Sequence, residues 1–162
     1  MSADHQSAPE VILAAEVIDQ TLRLATGLRS RLADALGRAG LNESRLTVLR
    51  IVAARGPHGC SQIELARGLS QVESSISTLV DRMKADRLLL RMRSKEDRRK
   101  SFLLLTDEGR SALETGEAEV RELAAAVRQL WGLQTLAPMR QILEVALFEL
   151  ERPQPSATRR AA

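Results

Sequence analysis

The run SQIELARGLSQVE, residues 61–73, decides the fold. It carries one start signal twice: Ser61 followed three residues on by Glu64, and Ser70 followed by Glu73. In such a box the serine hydroxyl accepts from the N–H three residues ahead, while the glutamate reaches back to the serine N–H. Two donors that a helix start leaves open are thereby satisfied. The spacing predicts a short helix from Gln62 to near Arg67, a turn at Gly68, and a second helix after Ser70. Two short helices around a tight turn outline a helix-turn-helix. Many helical proteins share that outline, so the faces of the second helix carry the next step.

On a helical projection Ile76, Leu79, Val80 and Met83 fall in one stripe, the core side. The opposite side presents Gln71, Ser74, Ser75, Thr78, Asp81 and Arg82. A merely solvated face carries Lys and Glu more often than a series of hydroxyls. Small hydroxylated side chains let a helix backbone come close to a major groove, where they donate or accept at base edges and phosphates.

Beyond this helix the period changes. Leu88 to Met92 and Ser101 to Leu105 are short apolar runs that predict two strands, joined by the almost wholly charged segment 93–100. From Arg82 to Lys100 there are nine basic residues against three acidic ones, whereas Asp107 to Glu151 holds nine acidic against four basic. A polyanion-facing segment and a separate scaffold account for this split, although a solvated charged face explains the charge alone. A hairpin with a cationic tip can follow a phosphate backbone or place an arginine in a minor groove.

Toward the N-terminus, Val11, Ile18, Ala25 and Leu32 recur every seventh residue, with Ala15, Leu22, Leu28 and Leu36 beside them, until Gly37 and Gly40. A helix of roughly 28 residues is too long to be buried on one small lobe. Part of its stripe therefore predicts a partner subunit. Asn42 can cap the next helix, with Leu46, Leu49, Val52 and Ala53 on one face. Toward the C-terminus, Thr106 caps a helix that opens with Asp107 and Glu108, where the macrodipole favours acids. A break near Gly132 precedes a last helix, about Leu136 to Glu151, before Pro153.

Composition excludes several classes. The 162 residues are 44% apolar but 2% aromatic, with no Tyr, one Trp and two Phe, so the core is aliphatic. Base stacking on single strands has almost nothing to work with, which makes a nucleic-acid partner a duplex. The net charge is only +3. A single cysteine, Cys60, rules out an internal disulfide. Neither a secretory leader nor a membrane-length apolar run is legible, which predicts a cytoplasmic protein with no membrane partner. No nucleophile motif, phosphate loop or metal spacing surrounds His5 or His58, so no enzyme activity, cofactor or metal is expected.

The strings themselves resemble the MarR family of bacterial transcription regulators. Residues 62–67, QIELAR, resemble the family's supporting helix, and residues 79–83, LVDRM, the second half of its recognition helix. Asp97-Arg98-Arg99, followed by residues 105–109, LTDEG, resembles its wing and the start of the next helix. The likeness covers roughly residues 10–150. It implies a mainly α fold with a small β-hairpin wing, a winged helix-turn-helix with long N- and C-terminal dimerisation helices. The implied division is a disordered lead-in at 1–9, a dimerisation helix at 10–40, the DNA-binding domain at 41–106, dimerisation helices at 107–152 and a disordered tail at 153–162.

The same resemblance implies a homodimer on double-stranded DNA, a pseudo-palindromic operator, and a repressor released by a small aromatic or anionic effector. Carried over residue by residue, Ser74, Ser75, Thr78 and Arg82 enter the major groove. Arg99 reaches the minor groove with Asp97 paired to it, and Arg93, Lys95 and Arg98 meet phosphates. Asp81 is expected in an ion pair, since a free carboxylate near phosphates is unfavourable. Where the family has glycine at the turn before the first strand, this chain has Arg87. Either Arg87 adopts a left-handed conformation at a cost of about 1 kcal/mol, or the turn is rebuilt. Arg23, Arg29 and Arg50 are candidate partners for an effector carboxylate, more readily read as surface or ion-paired residues. Two rival readings stand beside the regulator: a helical interaction dimer without specific DNA binding, and a thiol sensor using Cys60. A sensing thiol is exposed and acidic, whereas Cys60 immediately precedes the Ser61 cap, where an apolar residue packs onto Leu65.

Overall fold

The computed structural model describes residues 7–69, 72–93 and 101–152. Its elements are α1 (Ser7–Arg38), α2 (Glu43–Ala54), a 3-10 turn (Gly56–His58), α3 (Gln62–Leu69), α4 (Glu73–Ala85), β1 (Leu89–Arg93), β2 (Ser101–Leu105) and α5 (Asp107–Glu151). This is the mainly helical architecture with a two-stranded antiparallel hairpin that the sequence predicts. The chain divides into two units, one ending at Leu123 and one beginning at Ala124.

In the first unit the core is aliphatic, as the lack of aromatics requires. Leu36, Val48, Leu49, Val52, Leu65, Ile76, Val80, Met83 and Leu103 are all essentially inaccessible. Burying each such side chain stabilises the fold by about 1.5–3 kcal/mol relative to leaving it in water. One expected core position moves: Ala53 is exposed, and Val48 faces inward instead. The cause is angular, because Val48 lies one turn before Val52 on the buried stripe. On α1 only the C-terminal end is buried, at Ala35 and Leu36, while Val11, Ile12, Val17, Ile18 and Leu22 are each more than half exposed.

Local signals act largely where the residues place them. Asn42 Oδ1 accepts from Arg45 N–H at 2.9 Å. Ser61 and Glu64 form the reciprocal box, with Ser61 N–H donating to Glu64 Oε2 at 2.8 Å and Glu64 N–H donating to Ser61 Oγ at 3.3 Å. The second helix starts later than a Ser70 cap would place it: α4 begins at Glu73, with extended Val72 at its cap position. Ser70 and Gln71 lie outside the described residues.

The hairpin pairs Leu89 with Leu105, Arg91 with Leu103 and Arg93 with Ser101. Cys60 adds a short third rung, its N–H donating to Leu103 O at 2.9 Å and Leu103 N–H donating back at 2.8 Å. The turn from α4 into β1 keeps its left-handed residue: Arg87 has φ 59°. Arg87 N–H donates to Lys84 O at 3.0 Å and Leu88 N–H to Met83 O at 2.8 Å, the paired bonds of a Schellman ending. Thr106 then fastens this turn to α5, its hydroxyl donating to Arg87 O and accepting from Gly109 N–H at 2.9 Å. Arg87→Gly is expected to stabilise the chain by about 1 kcal/mol, because only glycine occupies this conformation without a Cβ penalty. Urea denaturation measures it, and an unchanged midpoint would refute the strain.

In the second unit, α5 is interrupted at Gly132, whose φ of 70° and ψ of 159° are not helical. The break falls where the sequence predicts it. Beyond it Ile142, Val145, Leu147, Phe148 and Leu150 are exposed by more than half.

Candidate nucleic-acid interface

Helix α4 separates its two faces as the projection requires. Ile76, Val80 and Met83 are fully buried and Leu79 partly so, while Ser74, Ser75, Thr78 and Arg82 are exposed. On a helix, residues 74, 78 and 82 advance along one face, with 75 beside them. The Thr78 hydroxyl donates only weakly, at 3.4 Å, to Ser74 O, so it can accept from another donor. Asp81 is engaged by Lys84 at 3.2 Å, which gives it the ion pair expected from sequence. From Ser74 to Thr78 the accessible surface of α4 is thus small, uncharged and hydroxylated, with Arg82 one turn further on.

Three contacts hold this helix in place. Its apolar stripe packs on α3 and the hairpin within the common core. Arg45 of α2 pairs with Asp86 at the C-terminal end of α4. The Schellman turn and Thr106 fix where β1 departs. Arg93 is exposed at the end of β1, opposite Ser101, where the hairpin opens. Lys95, Asp97, Arg98 and Arg99 lie outside the described residues, and the Asp97–Arg99 pair with them.

Around the helix-turn-helix, several charges are committed to structure. Arg50 holds Glu117 through two bonds, at 2.6 and 3.1 Å. The guanidinium hydrogen bonds keep the Glu117 carboxyl below its ordinary pKa, and the same contact raises that of Arg50. Arg23 pairs with Asp19 at 2.9 Å. Two of the three arginines considered for an effector are therefore ion-paired. Cys60 is fully buried. Burial raises its thiol pKa, and the nearby Glu64 charge adds to that while Arg55 opposes it. An inaccessible thiol held in its neutral form has the character of a packing residue rather than of a reactive one.

A cavity of about 650 Å³ opens behind the hairpin, lined by Ala53, Pro57, Leu90, Met92, Leu105 and Leu113, with Arg110 and Glu114 as its charged members. Arg110 also pairs with Asp107 at 2.7 Å. Neither this cavity nor the contact between Gln62 and Arg91, where Arg91 Nη2 donates to Gln62 Oε1 at 2.9 Å, is legible in the sequence. Both depend on how distant elements cross.

Residues 39–100 match the family model described as MarR family. No curated protein sequence matches the chain. Among solved structures, the S. aureus MepR–DNA complex is 16% identical with a TM-score of 0.70, covering 80% of this chain and 95% of that one. The transcriptional repressor CouR bound to a 23-mer DNA duplex is 24% identical with a TM-score of 0.73, covering 83% and 94%. CouR from Rhodococcus jostii RHA1 bound to p-coumaroyl-CoA is 24% identical with a TM-score of 0.67, covering 84% and 94%. These likenesses establish a shared fold over most of both chains.

Proposed function

We propose, from the match of residues 39–100 to the MarR family model, that the chain is a sequence-specific double-stranded DNA-binding transcription regulator. The observation that carries this is the division of α4, whose buried stripe turns Ser74, Ser75, Thr78 and Arg82 outward together. A helix so fixed carries its hydroxyls and Arg82 into the major groove, while Arg93, Lys95 and Arg98 meet phosphates and Arg99 enters the minor groove with Asp97 holding it. Solved relatives of this fold include one on DNA and one described as a repressor on a duplex.

The regulator acts as a homodimer. Apolar residues of α1, each more than half exposed, and a second apolar set beyond Gly132 form surfaces that a monomer in water leaves unexplained. A two-fold dimer reads two half-sites, hence a pseudo-palindromic operator. It is a cytoplasmic repressor released by a small effector with an apolar body, for which the cavity behind the hairpin has ligand-like volume and lining. A solved relative of this fold holds a coenzyme A thioester. Among the described residues no helix is long and apolar enough to cross a membrane.

The test is a gel shift with the DNA upstream of the chain's own gene. Binding is expected to weaken steeply with salt, as counterions released by phosphate contacts demand. Thr78→Ala should shift sequence preference in selection from random duplexes, while Arg99→Ala weakens every duplex and leaves the dimer intact. No shift at low salt and micromolar dimer would favour the helical interaction protein.

A further inference from the structure

Strand β1 has two unlike faces. Leu90 and Met92 line the cavity behind the hairpin, whereas Arg91 alternates with buried Leu89 on the other side. Arg91 stands opposite Leu103, which is bridged in turn to Cys60, two residues before Gln62. That row brings the Arg91 side chain to the first residue of α3, where its Nη2 donates to Gln62 Oε1 at 2.9 Å. Arginine only donates, so the contact fixes which end of the amide is oxygen. The other end, Gln62 Nε2, is buried and has no hydrogen-bond partner among the described residues. A buried unpartnered donor destabilises a fold. Gln62 is thus a poor residue for stability and a good one for holding an arginine.

We propose that Gln62 is a positioning residue for duplex binding, holding Arg91 at the start of α3 so that its other guanidinium N–H groups meet a phosphate oxygen. This rests on reading the chain as a duplex-binding protein. Arg91 is exposed, and Gln62 occupies one of its five N–H donors. The first helix of a helix-turn-helix crosses the sugar–phosphate backbone, which puts its leading residue beside phosphates. A loose arginine must give up rotamer freedom on meeting a phosphate, and the amide of Gln62 has already restricted it.

The experiment measures dissociation constants for a labelled, mixed-sequence duplex of about 30 base pairs across a salt series, since phosphate contacts need no operator. The full-length chain is compared with Gln62→Met, Arg91→Ala and the double variant. Gln62→Met should weaken binding about fivefold without changing the salt slope or lowering the melting temperature. Arg91→Ala should weaken it and reduce the slope by about 0.9. In the Arg91→Ala background Gln62→Met should add nothing. Unchanged affinity in Gln62→Met, the same loss with Arg91 absent, or a loss matched by a lower melting temperature would each overturn the proposal. An unsubstituted chain that binds no duplex at low salt would instead remove the duplex reading, and this inference with it.

Discussion

Gly109→Ala is expected to lower the melting temperature by roughly 10 °C, corresponding to about 3 kcal/mol in a chain of this size. Gly109 sits in the first turn of α5, where Leu88 leaves the Schellman turn. A Cβ there would overlap the carbonyl oxygen of Leu88 and stand 3.0 Å from its carbonyl carbon and 3.3 Å from Thr106 Oγ1. Backbone cannot rotate aside as a side chain can, and this backbone is pinned by Thr106 N–H donating to Leu88 O at 3.3 Å. The intrinsic gain of alanine over glycine in a helix is about 1 kcal/mol, too small to offset the overlap. Thermal denaturation followed by circular dichroism reads the effect. A variant that melts with the parent would mean that α5 and the turn after α4 do not approach as closely as the structure has them.

A charge on the exposed stripe of α1 should have the largest effect on binding. Ile18→Glu is expected to convert the proposed dimer to monomer and to weaken operator binding by about 10²–10⁴-fold. Ile18 is 61% exposed and Val17 and Leu22 are comparably so, an apolar surface with no partner among the described residues. If a second subunit covers it, a carboxylate there is desolvated without a counter-charge and the interface separates. A separated lobe then binds each half-site alone, losing the advantage of linkage. Sedimentation velocity and fluorescence anisotropy on the same samples test the two halves of the claim. A dimer that survives Ile18→Glu would move the interface away from this stripe.

The first capping box shows why so much of the helix-turn-helix lobe was legible. Ser61 and Glu64 act within one helical turn, and their bonds depend on nothing further away. The second box shows the limit of such signals. A cap contributes about 1 kcal/mol, less than burial of Ile76, Val80 and Met83 together, so the buried stripe rather than the cap dominates the stability of α4, which starts at Glu73. Arg87 lies between these cases. The sequence left open a strained residue or a rebuilt turn, and the structure retains the strained one at φ 59°. The main-chain bonds of the Schellman ending and the Thr106 hydroxyl hold it there.

By itself, then, the sequence determined the helical order, the hairpin, the buried and outward faces of α4 and the break at Gly132, because periodicity, caps and glycine act over one or two turns. Tertiary structure alone decided the hold of Gln62 on Arg91, 29 residues apart, the pairing of Arg50 with Glu117, 67 apart, and the cavity behind the hairpin. Each of those requires two elements to cross at a particular angle and separation. That geometry is set by the packing of the whole core, and no local stretch of residues encodes it.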